Sequence, residues 1–129
     1  MENLNISATE RSPAVALDGA AGCLSFRGES YPEDASAFFG PVFAALDLAL
    51  AESKTLKVEF ELAYFNSSSA KAFMNIFQKL EQAARAGTEI EIEWRYAPDD
   101  ETMQEFGEDF SEDLECARFA LVPVSDAPR

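Results

Sequence analysis

Ser67, Ser68 and Ser69 stand in a row where a strongly β-forming run, Leu56 to Phe65, gives way to an amphipathic helical run beginning near Ala70. Asn66 or Ser67 can cap that helix and leave a neighbouring hydroxyl open to solvent. A phosphoryl group added there would meet free backbone N–H groups and the positive end of the helix dipole. The chemistry on offer is therefore reversible phosphorylation; the alternative is that the serines only cap a helix. Lys71, close after the triplet, could orient an incoming phosphate or help to hold a phosphoserine, and is equally read as a plain exposed lysine.

Other chemistry is poorly supplied. The chain has no histidine, which removes the commonest general base near neutral pH and the commonest zinc ligand. Cys23 and Cys116 are far apart in sequence and are expected to be buried free thiols, not a CxxC pair or a disulfide. Asp47, Glu59 and Glu61 could serve as acid and base, but nothing in their spacing makes them converge. Between Asp99 and Glu115 lie nine carboxylates and no basic residue. That density could gather a divalent cation, yet Glu105, Glu108, Asp109, Glu112 and Asp113 fall between the apolar positions of a helix and read as its solvated face. An acidic docking surface for a basic partner is the other reading. No glycine-rich phosphate loop, dinucleotide fingerprint or GxSxG elbow is present, so neither an enzyme nor a cofactor is expected.

Composition narrows the function classes further. The 129 residues are 47% hydrophobic, enough for one core, and carry a formal charge of -14 that would repel phosphate backbones and anionic lipid. Nucleic-acid binding and membrane insertion are not expected. The first ten residues lack a basic and apolar leader pattern, and no run reaches the 18 apolar residues of a bilayer span, so the expected location is cytoplasmic.

The elements that must position the serines follow from periodicity. Residues 1–12 are polar and expected to form a flexible arm, residues 13–123 a single domain, and residues 124–129 a tail. Pro13 to Leu17 and Cys23 to Phe26 flank turn chemistry at Asp18 to Gly22 and predict a hairpin. Pro32 lies near the start of a first helix running to Glu52, with Glu33 and Asp34 at its positive end and Gly40 and Pro41 able to distort it. Leu56, Val58, Phe60 and Leu62 alternate with charged residues, which predicts a strand ending at the serines. The second helix shows Phe73, Phe77, Leu80 and Ala84 on one face and stops near Gly87. Glu89 to Tyr96 is a further strand. A third helix then opens at Pro98 and Asp99 and carries Met103, Phe106, Phe110 and Leu114, with Gly107 weakening it, before a last strand at Ala117 to Val122. The order β-β-α-β-α-β-α-β predicts an α/β fold, a mixed sheet with amphipathic helices packed on it. In such sheets function gathers beyond the carboxyl ends of the strands, where the serines fall.

Three segments carry a family resemblance. Gly28, Glu29, Ser30, Tyr31, Pro32 and Glu33, then Phe39 and Gly40, precede Tyr64, Phe65, Asn66, Ser67, Ser68, Ser69, Ala70, Lys71 and Ala72, and Trp94, Arg95 and Tyr96 follow. From about Pro13 to Leu121 the chain resembles the SiaC family of bacterial regulatory phosphoproteins. The resemblance implies a STAS-like (SpoIIAA-like) fold. It also implies partner switching: a hydroxyl at a helix start is phosphorylated by a Ser/Thr kinase of histidine-kinase-like ATPase fold and dephosphorylated by a PP2C-like phosphatase. In that family the unphosphorylated protein binds and activates a diguanylate cyclase, a GGDEF protein of c-di-GMP signalling and biofilm formation. The family's phosphorylated threonine falls on Ser67; here serine replaces it, and Ser68 and Ser69 become alternatives. The Ser30, Tyr31, Pro32 and Glu33 loop is implied either as a docking element or as a structural entry to the first helix.

Overall fold

The turn chemistry at Asp18 to Gly22 closes the expected hairpin. The Gly22 N–H donates to Asp18 O at 2.9 Å, and β2 (Ala14–Asp18) pairs antiparallel with β3 (Cys23–Ser30), Val15 facing Phe26. The structure, a computed structural model, describes residues 3–125, so the ends of the expected arm and tail lie outside the described residues. Inside the segment expected to be a flexible arm, Leu4–Ile6 forms β1, with Leu4 opposite Leu17 and Ile6 opposite Val15. Leu4 and Ile6 sit two apart and pack against the core, but three residues are too few to register as a period in sequence.

Beyond the hairpin the order is α1 (Ala35–Glu52), β4 (Thr55–Phe65), α2 (Ser67–Arg85), β5 (Glu89–Tyr96), α3 (Glu101–Ser111) and β6 (Arg118–Pro123), one strand more than expected. The sheet runs β1-β2-β3-β4-β5-β6, with β3 to β6 parallel. Three crossovers between neighbouring parallel strands, all stepping the same way, put the three helices on one face. That face is the core. Leu24, Phe26, Val58, Phe60, Ile92 and Trp94 of the strands are buried with Phe39 and Leu46 of α1, Phe73 and Leu80 of α2 and Met103 of α3. The other face carries the polar half of each alternation as ion pairs: Lys57 with Glu93 at 3.1 Å, Arg95 with Glu93 at 3.0 Å, and Arg27 with Glu61 at 3.0 Å.

The helix ends refine the expectations. Asp34 does not sit in the first turn of α1 but caps it, accepting from the Ala37 N–H at 3.0 Å. With its 18 residues α1 is long and apolar enough to cross a bilayer, contrary to the sequence reading, yet it is the crossover joining β3 to β4 and buries Phe39, Val42, Leu46 and Ala49 in the core. Helix α2 closes at Gly87 (φ 109°), where Gly87 N bonds to Ala84 O and Thr88 N to Ala83 O, the paired bonds of a Schellman stop. Helix α3 ends at Ser111, short of Leu114, and runs unbroken through Gly107. A Cβ on Gly107 would lie 2.6 Å from the Trp94 ring, so the glycine is there for close packing. Cys23 is half-buried and Cys116 exposed, not the two buried thiols expected.

Candidate functional site

A bulge aims the site. Gly28 pairs with Leu62 but Glu29 pairs with Tyr64, so Ala63 is an extra residue on β4 and the inward phase shifts by one. Leu62 and Phe65 are buried, whereas Tyr64 is 51% exposed. The Phe65 ring then locks the strand end, 5.5 Å from Phe73 of α2 and 4.7 Å from Phe106 of α3.

The next residue turns strand into helix. Asn66 is extended (φ -90°, ψ 179°), donates its N–H to Ser30 O at 3.0 Å, and caps α2 by accepting from the Ser69 N–H at 2.9 Å. Capping thus falls to Asn66. Ser69 is fully buried, and its hydroxyl lies 2.7 Å from that of Ser30, also fully buried. Ser67 and Ser68 are exposed in the first turn, where backbone N–H groups have no intrahelical acceptor and the dipole favours an anion. Lys71 is exposed one turn along the helix.

Of the loop expected to help docking, Ser30 is buried and offers no surface; its place is under the helix start. Tyr31 stands edge-on to Tyr64, ring centroids 5.7 Å apart, and its N–H bonds to Arg11 O, while Arg11 pairs with the exposed Glu33. Pro32 is half-buried between them. The structure therefore sets Tyr31 edge-on to Tyr64 just before the helix, ties Glu33 to Arg11, and withdraws Ser30 and Ser69 beneath the helix start.

Three surface residues near the serines went unrecognised in the sequence. Of the four large hydrophobic side chains exposed among the described residues, Tyr64, Phe106 and Met74 all border this region: before the helix, against Phe65, and two turns along α2. Tyr64 was hidden by the bulge, and Phe106 by helical periodicity that counts it with the core stripe. The carboxylates considered for acid–base work lie elsewhere. Asp47 pairs with Lys79 at 2.9 Å, and Glu59 and Glu61 belong to the ion pairs of the open sheet face. Glu105, Glu108, Asp109, Glu112 and Asp113 are exposed on or just after α3.

Comparison with known proteins agrees with the fold. A model of the SiaC family, described as SiaC family regulatory phosphoprotein, matches residues 6–124. An uncharacterized protein of Pseudomonas aeruginosa (strain UCBPP-PA14), PA14_02130, is 38% identical over 114 residues, 88% of this chain and 90% of its own length. The crystal structure of apo-SiaC from Pseudomonas aeruginosa superposes with a TM-score of 0.86 at 36% identity, covering 95% of this chain and 99% of the other. A chain from the crystal structure of the diguanylate cyclase SiaD in complex with its activator SiaC, from the same organism, matches with a TM-score of 0.90 at 36% identity, covering 94% of this chain and 99% of that one.

Proposed function

The chain belongs to the SiaC family of regulatory phosphoproteins, and from that premise we propose that it is a non-enzymatic activator of a diguanylate cyclase, switched off by phosphorylation at Ser67. The observation that carries the reading is the division of labour at the start of α2. Asn66 caps the helix and Ser69 is buried against Ser30, leaving the Ser67 and Ser68 hydroxyls exposed, with Tyr64 exposed just before the helix and Met74 exposed two turns along it. Exposed apolar side chains on the same stretch of surface as a modifiable hydroxyl suit a docking surface that a phosphate can spoil.

The energetics fit a switch. A phosphate adds about -1.5 to -2 charges, tolerated locally by the helix N-terminus but repelled and poorly desolvated within an interface. A loss of about 1.4 kcal/mol already lowers affinity tenfold. A Ser/Thr kinase and a PP2C-like phosphatase would set the phosphorylation level, and such a circuit operates in the cytoplasm. Titrating a diguanylate cyclase with the unmodified chain, Ser67→Ala and Ser67→Asp tests the proposal. Ser67→Ala should bind as the unmodified chain does and Ser67→Asp at least tenfold more weakly; equal affinities would leave a constitutive interaction module instead.

A further inference from the structure

Helix α1 has an apolar face that the described residues leave bare. Ala37, Gly40, Pro41, Ala44, Leu48 and Ala51 are all exposed. At 3.6 residues per turn they share one stripe, roughly 100° wide, along about 21 Å of helix. Leu48 is 40% exposed on it. Beside the stripe, between α1 and β1, runs a groove of about 310 Å³ whose walls include Leu4, Pro41, Ala44 and Leu48. We infer that this face pairs with α1 of a second copy of the chain, the two helices antiparallel about a two-fold axis at Ala44.

Three observations choose a second copy as the occupant. The first is charge. Two chains of formal charge -14 can approach closely only through a face without net charge. Asp47 and Glu52 are the charged residues of α1, and Asp47, at the edge of the stripe, is neutralised by Lys79 at 2.9 Å. A basic partner would find no counter-charge on the stripe itself. The second is self-complementarity. Gly40 and Leu48 lie four residues either side of Ala44, and Ala37 and Ala51 seven. An antiparallel pair crossing at Ala44 therefore sets Leu48 of each copy over Gly40 of the other, about 6 Å along the axis from the crossing, as a two-fold interface requires. The third is Gly40 itself. Glycine is a poor choice inside a helix, and Gly40 is not at positive φ. A Cβ there would meet nothing within 4 Å, so the chain's own packing does not ask for glycine. A leucine arriving from outside does. The helix contact, roughly 27 Å by 10 Å, falls short of the about 800 Å² per partner of a standard interface, so the pairing is weak and reversible.

Sedimentation velocity of the full chain from about 1 to about 500 µM tests this, because mass action carries a weak dimer through its midpoint. A concentration-dependent dimer is expected. Added NaCl should strengthen it by screening the like charges, the reverse of the response of a basic partner. Leu48→Asp should weaken the association about tenfold or more, and so should Gly40→Gln by blocking the close approach. Met74→Asp, at an exposed position of α2, should leave it unchanged. Melting temperatures of the dilute variants come first, and Gly40→Gln should melt no lower than the unmodified chain, since its new side chain enters open space. A chain that stays monomeric throughout, or a dimer that Leu48→Asp and Gly40→Gln leave intact, overturns the inference. A monomer whose Leu48→Asp variant loses affinity for SiaD of Pseudomonas aeruginosa overturns it too, and gives the face to the cyclase. The switch proposed at Ser67 is tested separately, since Ser67 lies on α2 and outside this stripe.

Discussion

Ser67, Ser68 and Ser69 share one chemistry, yet the fold gives them different work. Ser69 and Ser30 satisfy each other beneath the helix start, tying the end of β3 to α2 at 2.7 Å. Replacing either by Ala strands the other hydroxyl in the core and should cost about 1 to 2 kcal/mol in urea unfolding, with the double variant costing less than the sum. Additive losses would show that the pair is not coupled. Glu81 has a structural post that no pattern announces. It is 6% exposed, and its carboxylate accepts the N–H groups of Glu115, Cys116 and Ala117 and the Arg85 side chain. Burial alone would raise its pKa, but these donors bring it down from 4.5 to about 2. Because the folded-state value is depressed, its stabilisation is complete above about pH 4.5 and disappears as pH falls toward 2. Glu81→Gln should therefore melt below the unmodified chain at neutral pH, with the gap closing across that window. A gap independent of pH would refute the role.

At the scale of elements, close approach and phase decide what the helices and strands can present. Trp94 donates its ring N–H to Met103 O at 2.9 Å, which draws α3 onto the sheet and leaves no room for a side chain at Gly107. Gly107→Ala should destabilise by about 1 to 3 kcal/mol through overpacking, despite the better helix propensity of alanine. Urea midpoints would show it, and a stabilised variant would mean that α3 can lift away freely. On β4 the extra residue Ala63 has the larger functional consequence: it turns Tyr64 outward to Tyr31 and sends Phe65 inward to pack under the serines.

For the whole molecule, one-sided layering and charge work together. The helices α1, α2 and α3 cover one face of the sheet, and the opposite face carries cross-strand ion pairs, Lys57 with Glu93 and Arg27 with Glu61. The formal charge of -14 disfavours the compact state through self-repulsion. Screening reaches about 8 Å at physiological salt, so raising NaCl from low to physiological concentration should raise the melting temperature. A flat or falling response would mean that the ion pairs outweigh the net repulsion. The same charge makes a cationic partner surface the natural complement.

Local pattern alone determined the hairpin, the helices and the parallel strands, because each rests on period and punctuation within a dozen residues. It placed Asn66 and the serines at a strand-to-helix junction, and Gly87 at a helix stop, for the same reason. Tertiary structure alone decided which serine is exposed, because the burial of Ser69 depends on Ser30, 39 residues away. It also decided that Leu4–Ile6 is a strand, that Tyr64 faces outward, and that Gly107 serves packing. Each of those outcomes is set by a neighbour distant in sequence: β2 for the first strand, the skipped register with β3 for the tyrosine, and Trp94 for the glycine.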